Sequence, residues 1–151
     1  MAVVLDTNEF LDTVCQLLGQ GHTAVAVPVA GSSMVPFLHH GDMVYLDLPD
    51  RPLKRGDIVL YTRDSGRYIL HRICKVCRDG SYIMVGDAQQ ELERIGSRSQ
   101  IHAIVTSALH KGRPTRPGDP RWWAYQHLWL LLIPLRHRLM DLRGRLGRKA
   151  K

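Results

Sequence analysis

The spacing of hydrophobic positions changes three times along the chain. Between residues 6 and 19 they fall at Phe10, Leu11, Val14, Leu17 and Leu18, the spacing of one helical face. Asp6 or Thr7 can cap this helix, Glu9 lies in its first turn, and Gly19 and Gly21 end it. It is too short and too charged to span a bilayer. From Thr23 the texture becomes that of strands. Residues 24–29, 43–48, 58–62, 68–76, 82–85 and 101–109 are short apolar, β-branched or alternating runs. Asp64-Ser65-Gly66 and Asp79-Gly80 supply hairpin turns, and residues 49–56 form a longer turn rich in Pro and charge. Strands at hairpin spacing, with no helices between them, predict a mainly β domain. The expected form is a coiled antiparallel sheet or partly open barrel, with an N-terminal helix and a C-terminal helical extension.

The third change comes after residue 110. Residues 111–120 carry Gly, Arg and three prolines and read as a linker. Residues 122–135 then run W-W-A-Y-Q-H-L-W-L-L-L-I-P-L and contain every tryptophan of the chain. The predicted organisation is an N-terminal helix (1–22), a β domain (23–110), a linker (111–121) and an amphipathic, basic extension (122–151).

Composition narrows this picture. Apolar residues at 44% and charged residues at 23% are ordinary for a packed globular protein. They exclude a wholly disordered, collagenous or multi-span membrane chain. The net charge of +7 is concentrated at one end, where residues 136–151 hold seven Lys/Arg against Asp141 alone. The domain itself is near neutral. Cys15, Cys74 and Cys77 are an odd set that gives no disulfide framework. The first residues lack a basic segment followed by an apolar one, so no secretory signal is expected. A reducing, cytoplasmic setting follows, or a peripheral place at a membrane. Cys74 and Cys77 fall on opposite faces of a strand and supply two of the four ligands a zinc site needs, so no metal and no cofactor are expected.

The extension has two readings. As a helix, residues 122–135 would reach about 21 Å, short of the roughly 30 Å of a hydrocarbon core. Trp122, Trp123, Tyr125 and Trp129 favour a membrane–water interface, and Arg136, Arg138, Arg143, Arg145, Arg148, Lys149 and Lys151 suit anionic headgroups. The same segment could instead pack on the domain's own open face. Leu139, Leu142 and Leu146 continue an apolar stripe that fits either.

The chemistry concentrates in Gly31-Ser32-Ser33-Met34-Val35-Pro36-Phe37-Leu38-His39-His40-Gly41-Asp42. A serine between a glycine turn and an apolar Met-x-Pro anchor can be held rigidly with its hydroxyl exposed. A nucleophilic serine needs such positioning, together with a base. Three further motifs follow in order: Gly56-Asp57-Ile58-Val59, His71-Arg72-Ile73 and Gly86-Asp87. Taken together the set resembles the signal-peptidase and LexA-like serine peptidase superfamily (the S24/S26 peptidases), over about residues 25–107. The resemblance implies the coiled β fold of those proteins, with Ser33 as nucleophile. It places His71 where bacterial signal peptidases and LexA-like proteins carry Lys, and so is similar to the His-Arg form of archaeal, endoplasmic-reticulum and spore-former signal peptidases. A lysine must be desolvated before it can take a proton, whereas a histidine needs only orientation.

Two departures accompany the resemblance. His-type relatives carry an Asp several residues after the Gly-Asp motif. Here Glu93 stands at that place, or Asp87 takes the role of orienting the imidazole. Many relatives also have Ser two positions before the nucleophile, where this chain has Gly31. The backbone N–H of Ser33 is then the expected main oxyanion donor, with Ser32 beside it and Met34 flooring the cleft. Asp42 and Asp57 read as turn hydrogen-bonders, His39 and His40 as a solvated pair, and Arg72 as the partner of an acid.

The expected activity is that of a signal peptidase-like serine endopeptidase, cleaving signal or leader segments of peptide precursors through an acyl-enzyme. Its substrate would be an extended peptide or preprotein, added as a strand beside the segment before Ser33. Two other readings stand beside it. One is a catalytically inactive peptide-binding module, favoured by Gly31 and Glu93. The other is a LexA-like regulator, favoured by the basic tail; with no helix-turn-helix before the domain, a nucleic-acid partner is not favoured.

Overall fold

A computed structural model describes residues 7–149. The capping role considered for Asp6, and the charges of Lys151, lie outside the described residues. Helix α1 (Thr7–Gly19) turns Leu11, Val14 and Leu18 inward, as its spacing predicts. Eight strands follow: β1 (Val25–Pro28), β2 (Met43–Asp47), β3 (Ile58–Thr62), β4 (Tyr68–Val76), β5 (Tyr82–Val85), β6 (Glu93–Ile95), β7 (Ile101–His110) and β8 (Arg113–Thr115). All pair antiparallel, in the order β1-β2-β7-β3-β4-β5-β6, with β8 on β7. The ends of that order do not meet, so the sheet coils without closing. Bulges at Tyr45/Leu46, Leu60/Tyr61 and Ile73/Lys75 add to its curvature.

Coiling gives the sheet two packed faces. One buries Val27, Val44, Leu46, Leu60 and Val105 against α1 and the loop residues Met34 and Phe37. The other joins Leu53, Val59, Tyr61, Ile73, Met84 and Ile104. Alternation along β4 therefore sends His71 and Arg72 to opposite faces, and both are buried.

Two strands were not legible in the hydrophobic pattern. β6 is a three-residue strand, Glu-Arg-Ile, with no alternation to mark it. β8 lies within the stretch read as a linker. Lys111 (φ 47°) and Gly112 (φ 75°) both take left-handed backbone there. That geometry matches the twist of a two-residue hairpin and folds residues 113–115 back onto the end of β7. Pro114 is tolerated because β8 is short and marginal.

The C-terminal extension is docked on the domain through its first helix and Arg136. Helix α2 (Pro120–Leu131) buries Trp122 and Leu130, and Trp122 meets Phe37 edge-on at 5.4 Å. Gly56 (φ +95°) carries this contact: a Cβ there would lie 2.4 Å from Gln126 Cγ and 2.7 Å from its carbonyl oxygen. Pro134 interrupts the helix in a 3-10 turn, Ile133–Leu135, and α3 (Arg136–Lys149) follows. Beyond Arg136 the described side chains of α3 are exposed apart from half-buried Met140. The tryptophans thus divide, Trp122 inward and Trp123 outward. Arg136, grouped by sequence with the lipid-facing cations, is completely buried. It donates to the carbonyls of Trp129 (3.0 Å), Gly86 (3.1 Å) and Gln89 (3.2 Å). The exposed carbonyls at the α2 C-terminus are a natural seat for a cation. Among the described residues, no helix is long and apolar enough to cross a membrane.

Candidate active site

Ser33 sits on a loop pinned at its base and at its floor. At the base, Val29 N–H donates to Asp42 O (2.7 Å) and Gly41 N–H to Val29 O (2.9 Å). Asp42 tightens the closing turn by accepting from His39 N–H at 2.8 Å. At the floor, Met34, Phe37 and Leu38 are buried in the core immediately after Ser33. The Gly31 backbone (φ +80°) turns the chain just before. Ser32 is exposed and Ser33 half-buried. Among the described residues, no internal hydrogen bond takes the Ser33 N–H.

A second loop holds Ser33 from the other side. Ala88 N–H donates to the Ser33 carbonyl at 2.9 Å. Gly86 is required here, because a Cβ would come within 2.6 Å of that carbonyl oxygen. Asp87 lies between these two contacts, but it faces away from the cleft. Both its oxygens are held by Arg72, at 2.8 Å (Nε) and 2.7 Å (Nη2), with neither side chain exposed. Arg72 also donates to Gly56 O (2.9 Å) and stacks over the Phe37 ring. Asp87 is thus committed to Arg72 and does not contact the imidazole. Arg72 has the acidic partner its alternation predicted.

His71 is oriented through an intermediary. Tyr61 Oη lies 3.4 Å from His71 Nδ1 and donates to Glu93 Oε2 at 2.8 Å. Arg63 grips Glu93 through Nε (2.6 Å) and Nη2 (3.0 Å). Since the Tyr61 proton goes to the carboxylate, its oxygen is left to accept from His71. That long contact favours the tautomer with hydrogen on Nδ1 and the lone pair on Nε2. Glu93 reaches His71 only through the tyrosine. Sequence reasoning missed Tyr61 and Arg63, because 58–62 reads as ordinary core strand. The signal lies in register: Val59 pairs with His71, so Tyr61 two residues on shares its face.

The electrostatics follow from burial. Desolvation lowers the His71 pKa to about 4, only partly offset by the Glu93 charge. The imidazole is therefore neutral at neutral pH. Burial would raise the Glu93 pKa, but its hydrogen bonds from Arg63 and Tyr61 hold it below the usual value. Burial and Glu93 together push the Tyr61 phenol well above its usual range, so it remains a proton donor.

Ser33 and His71 line one open cleft of about 1400 Å³. One wall is residues 27–33, the other 68–71; Phe10 and Leu11 of α1, and Ala88 and Gln89, complete it. Each wall includes a strand edge with no partner on the cleft side. β1 pairs only with β2, and β5 covers β4 only from Arg72 onward, leaving residues 68–71 open on that side. Among the described residues, no hydrogen bond joins the Ser33 hydroxyl to the His71 ring. One cluster could attract a metal: His39, Asp42 and His110, with ligand atoms within 4.8 Å of one another. Asp42 already accepts from His39 N–H and bonds His110 Nδ1 at 2.6 Å, so a cation would have to open that pair.

Comparison with known families matches residues 2–105 to the Peptidase S24-like family, and the chain belongs to that family. The matched span carries all four motifs and ends within β7, before α2 and α3. No curated protein and no solved structure matches the chain.

Proposed function

We propose that this protein is a serine endopeptidase of the His-type, signal peptidase-like kind, cleaving an extended peptide by way of an acyl-enzyme. The observation that carries the reading is the placement of Ser33 and His71 in one cleft whose two walls each include an unpaired strand edge. An extended peptide can hydrogen-bond to the free backbone groups of Pro28 and Ala30 on one side and of residues 68–70 on the other, those of Val29 being held by Gly41 and Asp42. Its scissile carbonyl then passes Ser33. His71 Nε2 takes the Ser33 proton as Oγ attacks the carbonyl carbon. The oxyanion meets the free Ser33 N–H, with the Ser32 hydroxyl beside it. The tetrahedral species collapses, His71 returns the proton to the leaving amine, and an ester on Ser33 remains. Water, deprotonated by the same imidazole, releases the acid and regenerates the hydroxyl. Tyr61 and Glu93 are positioning residues, since they act through His71. Arg72 and Asp87 hold the loops that carry the chemistry.

The missing hydrogen bond between Ser33 and His71 favours one other reading, an inactive module that binds peptides in the same cleft. A serine-directed acylating probe, with peptide-library cleavage, separates the two. The peptidase reading expects labelling of the wild type, loss of labelling in Ser33→Ala, and cleavage lost in both Ser33→Ala and His71→Ala. Binding of peptides without labelling or cleavage would establish the inactive module instead.

A further inference from the structure

The peptidase reading leaves the outer face of the C-terminal segment unused. On α3, Leu139, Leu142 and Leu146 recur along one narrow stripe, about 60° wide at 100° per residue, continued by Leu135 of the preceding 3-10 turn, and each of the four is 40–62% exposed. Arg138 and Arg145 flank the stripe on one side and Arg143 on the other, all exposed. Asp141 is the one acid in the helix and falls beyond the arginines. Trp123, Leu128 and Leu131 add exposed apolar surface on α2. The domain holds the segment through α2 and the first residue of α3: Trp122, Leu130, Arg136 and the Trp129 indole, which donates to Asp87 O at 2.9 Å, whereas residues 141–146 of α3 are exposed on every side.

Charge decides what could cover the stripe. A second copy packing leucine on leucine would bring two sets of flanking arginines together, with no acids in the matching positions. A leucine stripe edged by arginines instead suits an anionic lipid surface: the leucines enter the acyl boundary and the guanidiniums meet phosphates. We propose that α3 lies in the plane of an anionic phospholipid surface and seats the peptidase domain on it. Arg136 opens α3, and its hydrogen bonds to Gly86 and Gln89 tie the same segment to the loop that holds Ser33. The surface-bound helix is thereby joined to the loop that holds Ser33, and the peptidase would act on chains held at that surface. This proposal rests on the peptidase reading only for that use; the lipid contact stands apart from it.

The test is co-sedimentation of the full chain with vesicles of phosphatidylcholine alone, or of phosphatidylcholine mixed with phosphatidylglycerol. Binding is expected to the mixed vesicles, to weaken with added salt, and to be marginal on the neutral ones. Combining Leu139→Glu with Leu142→Glu should reduce binding by about tenfold or more. Both positions are exposed, so the melting temperature and peptide cleavage in solution should be unchanged. Equal sedimentation of wild type and variant, or no binding to the anionic vesicles, overturns the proposal. So does lipid-independent self-association that the same double variant abolishes, which would assign the stripe to a second copy. Because the readout is binding, failure here leaves the Ser33 labelling result intact, and the converse also holds.

Discussion

The imidazole of His71 faces opposite demands. In the proposed mechanism it must be neutral to accept a proton, and it must be steadied once it becomes charged. Burial meets the first by lowering its pKa to about 4. Glu93 meets the second at one remove, through Tyr61. Two outcomes are expected. The acid limb of kcat/KM should fall near pH 4, and not near the 6.5 of an ordinary histidine; a pH–rate profile on a good peptide substrate checks this. Tyr61→Phe should lower kcat by roughly 10–100-fold with KM little changed, because it frees the tautomer without touching the cleft walls. Titrating the reactive serine with an acylating probe separates this from a loss of fold, because it counts the competent enzyme by which Vmax must be divided. Motif spacing could point to Ser33, His71 and Glu93. It could not show that a tyrosine bridges the last two, nor that Asp87 is consumed by Arg72. Those facts belong to cross-strand register and to the path of the loop after β5, and neither leaves a periodic trace in the residues.

At the scale of elements, two loops and one helix converge behind Ser33. The loop after β5 touches the Ser33 carbonyl on one side and accepts hydrogen bonds from Arg136 and Trp129 on the other. Helix α2 is therefore part of the scaffold and not an appendage. Trp122→Ala should destabilise the protein by about 3–5 kcal/mol, whereas Trp123→Ala, half-exposed on the same helix, should cost less than about 1 kcal/mol. Paired urea denaturations would show the contrast. Hydrophobic pattern read most strands to within a residue or two, because β2 buries alternate side chains and β3 is a short apolar run buried on both faces. It did not resolve the two readings of 122–135: a helix buried along one side and open along the other carries aromatics on both. It also missed β8, whose formation depends on a backbone turn and not on side-chain pattern.

For the whole molecule, the buried histidine couples protonation to folding. Unfolded, His71 would bind a proton below about pH 6.5; folded, it does so only below about pH 4. Between those values the unfolded chain holds more protons, so stability falls as pH falls, by about 3 kcal/mol in all from this group. Burial lowers the pKa of His39 and His102 as well, and Glu93 is held low by its partners, so all three add in the same direction. Urea midpoints taken from pH 7 down to pH 4 should decline, and the decline should be shallower in His71→Ala. The sheet supplies the last consequence. With residues 27–28 and 68–71 each paired on one side alone, the sheet is a barrel missing one stave. Any tight, uncleavable peptide that fills the gap would act as a thermal stabiliser, and the unliganded form would be the one prone to aggregate, strand to strand, on storage.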